Sequence, residues 1–235
     1  MSHLPPDLNG ASIGDAVLAL RPDYRALLVV VTGVRAGPTD GASDAALRRA
    51  EERTRARLAG APPESLPQIA AWRDAFLGFG VKPRAARSSV EALVRRVDAG
   101  LPRIDRLTDL YNAVSVEHLI PVGGEDLDSY AGPPRLVRAT GEEPFDTVAD
   151  GQPTTVTADP GEVVWRDDVG VTCRRWNWRQ CVRTRLGQDT SSILFILDAL
   201  HPTTTEQLHA AGDALVAAVT AGSPDATAAA RLVGA

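Results

Sequence analysis

Cysteine, lysine and long apolar runs are what this chain of 235 residues has least of, and each scarcity removes a class of protein. Its two cysteines, Cys173 and Cys181, are too few for a disulfide framework. No Cys-x-x-Cys pair or neighbouring histidine cluster gives zinc-ligand spacing, so reduced thiols, no structural metal and no cofactor are expected. No segment approaches the roughly 18 consecutive apolar residues of a membrane span. The N-terminal segment, with Asp7 and Asn9 among prolines, lacks the basic-then-apolar order of a secretory signal. A cytoplasmic protein without a membrane partner is the default expectation. Lys82 is the only lysine, so nearly all positive charge is arginine, whose planar fork suits phosphate and base edges better than an ammonium does. A biased gene composition would produce the same excess of arginine and alanine. The net charge of -5 argues against a protein that coats long stretches of DNA or RNA, since such proteins gain affinity by releasing phosphate counterions. Any RNA contact should be local.

What is present is ordinary globular material, 44% hydrophobic and 23% charged, enough for one large domain or two small ones. No repeat, heptad or composition shift marks a linker, so a single α+β domain over residues 1–235 is the economical reading. Tyr24 to Val34 reads as a buried strand ending at glycine. Ser43 is expected to cap a helix with Leu47, Ala50, Thr54 and Leu58 on one face and Gly60 at its end. Ile69, Trp72, Phe76 and Phe79 repeat at helical spacing up to Gly80, an aromatic face expected to be core. Ser88-x-x-Glu91 is a capping box ahead of Leu93, Val94 and Val97, with Gly100 closing the helix. A further helix from about Asp105 to His118 breaks at Pro121 into a loop, Val122 to Asp126.

From Arg135 the pattern turns to strands: Arg135 to Thr140, Thr154 to Thr157, and Glu162 to Asn177 folded about the turn Asp167-Asp168-Val169-Gly170. Ser192 to Leu200 is compatible with strand or helix. Thr203-x-x-Glu206 should cap a last helix bearing Leu208, Leu215 and Val219, and the alanine-rich tail from Ser223 is expected to fray.

Two segments could carry chemistry. In Cys173 to Gln180, tryptophans two apart on a strand would face one side, interleaved with Arg174, Arg175 and Arg179 and followed by Arg183 and Arg185. Base stacking on Trp176 and Trp178 with phosphate contact by the arginines is one reading; a cross-strand tryptophan pair with solvated arginines is the other. Asn177 would face away from both tryptophans. In the second segment Asn112 and Ser115 share a helix face, while Gly123 and Gly124 allow close backbone approach beside Glu125, Asp126 and Asp128. The alternative there is a solvated acidic turn, whose spacing does not match a calcium-binding loop.

The order DLYN (Asp109–Asn112) on a helix, Pro121 with a short acidic loop, Gly161-Glu162-Val163-Val164 with Asp167-Asp168 and Gly170, and Thr190-Ser191 before an apolar strand resembles the editing domain of the phenylalanyl-tRNA synthetase beta chain. Free-standing members of that family are more similar still, through AAWRDAF (Ala70–Phe76), SSVEAL (Ser88–Leu93), DLYNAVS (Asp109–Ser115), PVGGEDLD (Pro121–Asp128), EVVWRDDVGVTCRRWNWRQ (Glu162–Gln180) and DTSSILFILDAL (Asp189–Leu200). The resemblance is strongest over residues 70–200. It implies a β-sandwich-like core with packed helices, binding of the aminoacylated end of tRNA, and hydrolysis of an amino acid carried by the wrong tRNA. It departs from the synthetase where a histidine near the site gives way to Val122-Gly123-Gly124, and where a glycine pair gives way to Trp176-Asn177-Trp178. Tyrosine is therefore not the expected substrate; an arginine analogue is, canavanine on arginine tRNA being a proposed substrate of the free-standing relatives.

The resulting expectation is a trans-editing deacylase that places a water with Asn112, Ser115, Asn177 and Gln180. Gly123, Gly124, Glu125, Asp126, Trp176 and Trp178 would hold the substrate, and Arg174, Arg175, Arg179, Arg183 and Arg185 the tRNA. Neither cysteine, nor Ser115 as a nucleophile, has a histidine in a motif of that chemistry, and His118 reads as a helix-end residue. A non-catalytic module that binds tRNA or an amino acid is the alternative, and a purely structural domain the third. The first two require the distant segments to converge on one polar cavity; the last does not.

Overall fold

The computed structural model describes residues 6–234, with side chains from residue 8 onward. Its helices are α1 (Pro6–Asn9), α2 (Asp15–Leu20), α3 (Gly41–Leu58), α4 (Pro67–Gly78), α5 (Ser89–Val94), α6 (Arg106–His118) and α7 (Thr205–Thr220). Its strands are β1 (Ser12–Ile13), β2 (Arg25–Thr32), β3 (Val122–Asp126), β4 (Arg135–Arg138), β5 (Pro144–Ala149), β6 (Gln152–Thr157), β7 (Val163–Arg166), β8 (Val171–Arg174), β9 (Arg179–Gln180), β10 (Ser192–Ala199) and β11 (Thr227–Gly234). The architecture is α+β.

An antiparallel four-stranded sheet, ordered β11-β2-β10-β3, forms the centre. Because successive strand residues point to opposite faces, its two central strands feed two separate cores. Leu27, Val29, Val31, Ile193, Phe195 and Leu197 pack against Leu107 and Val114 of α6 and Leu208 and Leu215 of α7. The alternate residues Leu28, Val30, Leu194 and Ile196 meet Leu136, Val163 and Trp165 of a five-stranded sheet, ordered β1-β4-β7-β8-β9. Helices α3, α4 and α5 extend this second core with Leu47, Ile69, Trp72 and Val90. Each fully buried residue of this kind contributes about 1.5–3 kcal/mol. The β5–β6 ribbon stands apart as a two-stranded sheet.

Several local expectations need correction. The supposed loop Val122 to Asp126 is strand β3, paired with β10 so that Gly124 lies opposite Phe195. A Cβ on Gly124 would lie 3.0 Å from Phe195 and 3.1 Å from Tyr111, so this glycine leaves room for two rings that meet edge to face. The tail does not fray: residues 227–234 are strand β11, in register with β2 from Thr227 opposite Thr32 to Gly234 opposite Arg25. Alanine is a poor strand former, and here the partner strand overrides local propensity.

Helix caps also sit elsewhere than expected. Asp40, not Ser43, caps α3; its carboxylate accepts from the Ala42 and Ser43 amides, and Ser43 Oγ accepts from the Asp40 amide at 3.0 Å. Thr204 and Gln207, rather than Thr203 and Glu206, form the capping box of α7. Helix α5 stops at Val94, short of Gly100, and Glu91 is absorbed by Arg73 and Arg95 instead of closing a box. Finally, residues 175–178 are not strand. Arg175 and Trp176 are both left-handed, with φ 47° and 67°, and they fold the chain into a tight turn between β8 and β9.

Candidate functional site

A cavity of about 260 Å³ opens between the two sheets where α5 and α6 meet their edges. That volume sits just below the roughly 300–1,000 Å³ range of small-molecule pockets, so the space suits a small group. Helix α6 contributes Tyr111 and Asn112, β3 contributes Gly123 and Glu125, and the turn after β8 contributes Trp176, Asn177 and Trp178. Arg179 and Gln180 of β9 complete one wall, and Trp165, Cys173 and Asp198 another. The two segments singled out in the sequence therefore converge on one cavity.

The polar atoms around it are unusual. Buried polar groups in folded proteins almost always have partners. Among the described residues, four of the buried side-chain atoms without one lie on residues that line this cavity: Ser89 Oγ, Glu125 Oε2, Trp176 Nε1 and Asn177 Oδ1. Glu125 is 2% exposed and its carboxyl is pushed up to about 7, chiefly by burial and opposed by bonds from Thr184 and Thr172. Asp198 is likewise raised to about 7 by burial, against hydrogen bonds from Tyr24, Asn177 and Trp165. The Cys173 thiol is held well above its ordinary range by burial and then by the nearby Glu125 and Asp198 charges, so it is no thiolate nucleophile at neutral pH. Cys181 is also raised by burial, and its sulfur lies 3.2 Å from Thr184 Oγ1.

Gln180 spans the edge of the site, donating to the Gly124 carbonyl at 2.8 Å and the Thr184 carbonyl at 3.1 Å. Asn177 is anchored at both ends: its carbonyl accepts from the Ser89 amide at 3.1 Å, and its side-chain amide donates to Asp198 at 3.3 Å. Gly123 is exposed, and a Cβ there would meet nothing within 4 Å, so its missing side chain leaves the cavity wall open.

Other expected site residues have different work. Ser115 is fully buried and donates to the Ile120 carbonyl at 2.6 Å, closing the end of α6 away from the cavity. Asp126 accepts from Thr190 Oγ1 at 2.7 Å and caps the short turn after β3, so it is not a cavity wall. Trp176 does line the cavity, yet it is wholly buried, edge-on to Tyr24 and Trp72 at 5.0 and 5.4 Å, and offers no free face for a base. Trp178 is half-buried, with the guanidinium groups of Arg175 and Arg179 each 4.4 Å from its ring. A base would meet arginine there, not indole. Arg174 is bound to the buried Glu162, and Arg183 to the buried Asp167 at 2.9 Å. Asp167 stays below the ordinary carboxylate range because Arg183 and the Ala131 and Gly170 amides outweigh its burial. Arg179 and Arg185 are exposed.

Sequence reasoning missed Tyr24, Ser89, Trp165 and Asp198. The signal for Asp198 was present, as the one charge within the apolar run Ser192 to Leu200. Tyr24, far off in the chain and just ahead of β2, left none. Among the described residues, no group of three or more His, Cys, Asp or Glu side chains is disposed to hold a metal ion, and no helix is long and apolar enough to cross a membrane.

Comparison with known proteins bears on the same region. A family model described as the B3/4 domain matches residues 71–216, more than half of the chain, and every residue lining the cavity falls inside that span. No curated protein matches. Among solved structures, the chain is similar to an N-terminal fragment of the phenylalanyl-tRNA synthetase beta-subunit from Pyrococcus horikoshii. The identity is 13%, the TM-score is 0.45, and the alignment covers 99% of this chain and 53% of that one, so the chain spans about half of its length. On the family match, the chain belongs to the B3/4 domain family, that of the phenylalanyl-tRNA synthetase beta-subunit domain.

Proposed function

We propose that the cavity receives the aminoacyl end of a charged tRNA and hydrolyses its ester, as an aminoacyl-tRNA deacylase. The observation that carries this reading is the set of unpartnered buried polar atoms around one small cavity, with Glu125 Oε2 among them. An aminoacyl ester is already activated, so its hydrolysis requires mainly a positioned water and a group to take its proton. Glu125, titrating near 7, is matched to that task at neutral pH. Asn112, Asn177 and Gln180 line the cavity and would orient water and substrate, whereas Ser115 and Asp126 do not line it. An arginine analogue such as canavanine on arginine tRNA stays the first substrate to try. The single carboxylate that β3 turns into the cavity, Glu125, is what would meet its cationic side chain.

The test is a deacylation screen of the purified chain against correctly and incorrectly charged tRNAs, with chelator present. Hydrolysis of at least one misacylated tRNA is expected, falling about 100-fold or more in Glu125→Gln. Full activity in that variant removes Glu125 from the mechanism, and no hydrolysis of any charged tRNA overturns the reading. One observation favours a second reading, a non-catalytic module: among the described residues, no histidine lines the cavity. Tight binding of charged tRNA without turnover would select it.

A further inference from the structure

Asp198 is 2% exposed on β10 and lines the cavity. Donors from three separate parts of the fold converge on its carboxylate. Tyr24 Oη reaches Oδ1 at 2.5 Å, Trp165 Nε1 reaches Oδ1 at 3.4 Å, and Asn177 Nδ2 reaches Oδ2 at 3.3 Å. An ionised carboxylate can only accept hydrogen bonds, so the Asn177 amide must turn its NH₂ toward it. Its Oδ1 is then the atom left buried without a partner in the cavity wall. A proton on Asp198 Oδ2 reverses this preference. The carboxyl becomes a donor, the amide is better placed turned over with Oδ1 accepting, and its NH₂ faces the cavity instead.

We propose that Asp198 is a positioning residue whose protonation sets which end of the Asn177 amide the cavity presents: an acceptor when Asp198 is ionised, a donor when it is protonated. The consequence for a ligand rests on the cavity being the substrate site, as proposed above; the switch itself does not. In the ionised form the wall holds two unpartnered acceptors, Asn177 Oδ1 and Glu125 Oε2, and selects a ligand with N–H or O–H donors such as an ammonium. In the protonated form one of these becomes a donor, and the same ligand is disfavoured.

The groups facing Asp198 leave the switch to few titrations. Tyr24, just ahead of β2, and Cys173 on β8 are both held protonated, first by burial and then by the Asp198 charge or, for the thiol, the Glu125 and Asp198 charges. Trp165 on β7 and Asn177 are neutral. Glu125 on β3 shares the cavity and titrates in the same range, and Arg179 on β9 lies at its wall, stacked on Trp178. Asp198 itself is brought near 7 by burial, so both forms are populated around neutral pH.

The test needs no substrate, so it stands even where the deacylase reading fails. In the ¹⁵N-labelled full chain, the Asn177 side-chain amide resonance, assigned by its loss in Asn177→Leu, is followed from pH 5 to 9. One titration step near pH 7 is expected in the native protein and in Glu125→Gln, and none in Asp198→Asn, where the amide is held in its turned-over form. Tyr24→Phe provides a second arm should Asp198→Asn fold poorly: loss of a bond to the ionised form should raise the midpoint by about one pH unit. The proposal is overturned if the native resonance does not titrate, if the step survives in Asp198→Asn, if it vanishes in Glu125→Gln, or if Tyr24→Phe leaves the midpoint in place.

Discussion

On its helix side the four-stranded sheet presents Val122, Leu27, Val29, Val31, Ile193, Phe195 and Leu197, all in one apolar cluster closed by α6 and α7. On its other side the same strands present Glu125, Asp198, Leu28, Val30, Leu194 and Ile196, and Gly123 leaves a gap. Neighbouring residues of one strand thus meet opposite demands. The contrast teaches how one sheet divides its burial: one face is filled to density by apolar side chains, while the other keeps buried polar atoms without partners around a cavity.

The largest effects should separate the faces. Phe195→Ala, which opens a void beneath α6, is expected to lower the unfolding free energy by about 3–5 kcal/mol in chemical denaturation, and within the cavity's lining it removes a contact of Tyr111. Gly123→Leu is the counterpart. Its side chain enters open space, so stability should change by no more than about 0.5 kcal/mol, yet turnover or ligand binding should drop about 100-fold as the cavity fills. Equal destabilisation by both variants would erase the distinction.

A smaller effect comes from pH. In the unfolded chain both Glu125 and Asp198 release their protons near pH 4, whereas in the folded chain they hold them to about 7. Between these values the folded state binds more protons, so stability falls as pH rises, by up to about 1.4 kcal/mol per unit for each group, and no further above 7. Denaturation from pH 5 to 8 should therefore show Glu125→Gln and Asp198→Asn gaining on the native chain across this window. A native-minus-variant difference independent of pH would mean that folding does not raise the proton affinity of either group.

How much of this was legible in the sequence follows the same division. The helix side was readable, because Leu208, Leu215 and Val219 repeat with helical period and are buried, and on the other side α3 was readable in the same way from Leu47, Ala50, Thr54 and Leu58. The conformations of β3 and β11 were not, because glycine and alanine carry no strand signal and their strands exist through register with β10 and β2. For the cavity, the right segments stood out, yet their internal geometry did not. Alternation in Trp176-Asn177-Trp178 assumed a strand, and two left-handed residues broke it, sending one tryptophan into the core and the other between arginines. No local pattern announces the Asp198–Tyr24 contact, which joins residues 174 positions apart.

The smallest predicted effect concerns the arginines between positions 174 and 185, of which Arg179 lines the cavity, and it depends on which of them are already engaged. Arg174 and Arg183 hold the buried carboxylates Glu162 and Asp167, so reversing either one leaves a buried acid unpaired and disturbs the fold before any RNA is added. Arg183 is thus unsuited to the charge-reversal test that its sequence position invites. Arg179 and Arg185 are exposed, and Arg179 already has its guanidinium spread on the Trp178 ring, which limits the freedom it would give up on meeting a phosphate or a base. Arg179→Glu with Arg185→Glu should therefore leave thermal stability near that of the native chain. If RNA lies along this segment, the same pair should weaken tRNA binding several-fold and flatten its salt dependence by roughly one slope unit for each phosphate no longer neutralised. Lysine at both positions separates charge from stacking. Retention of the salt slope with weaker affinity in Arg179→Lys would assign the planar contact to Arg179, whereas an unchanged slope in the glutamate pair would place the RNA on another surface and leave Trp178 with a purely structural role.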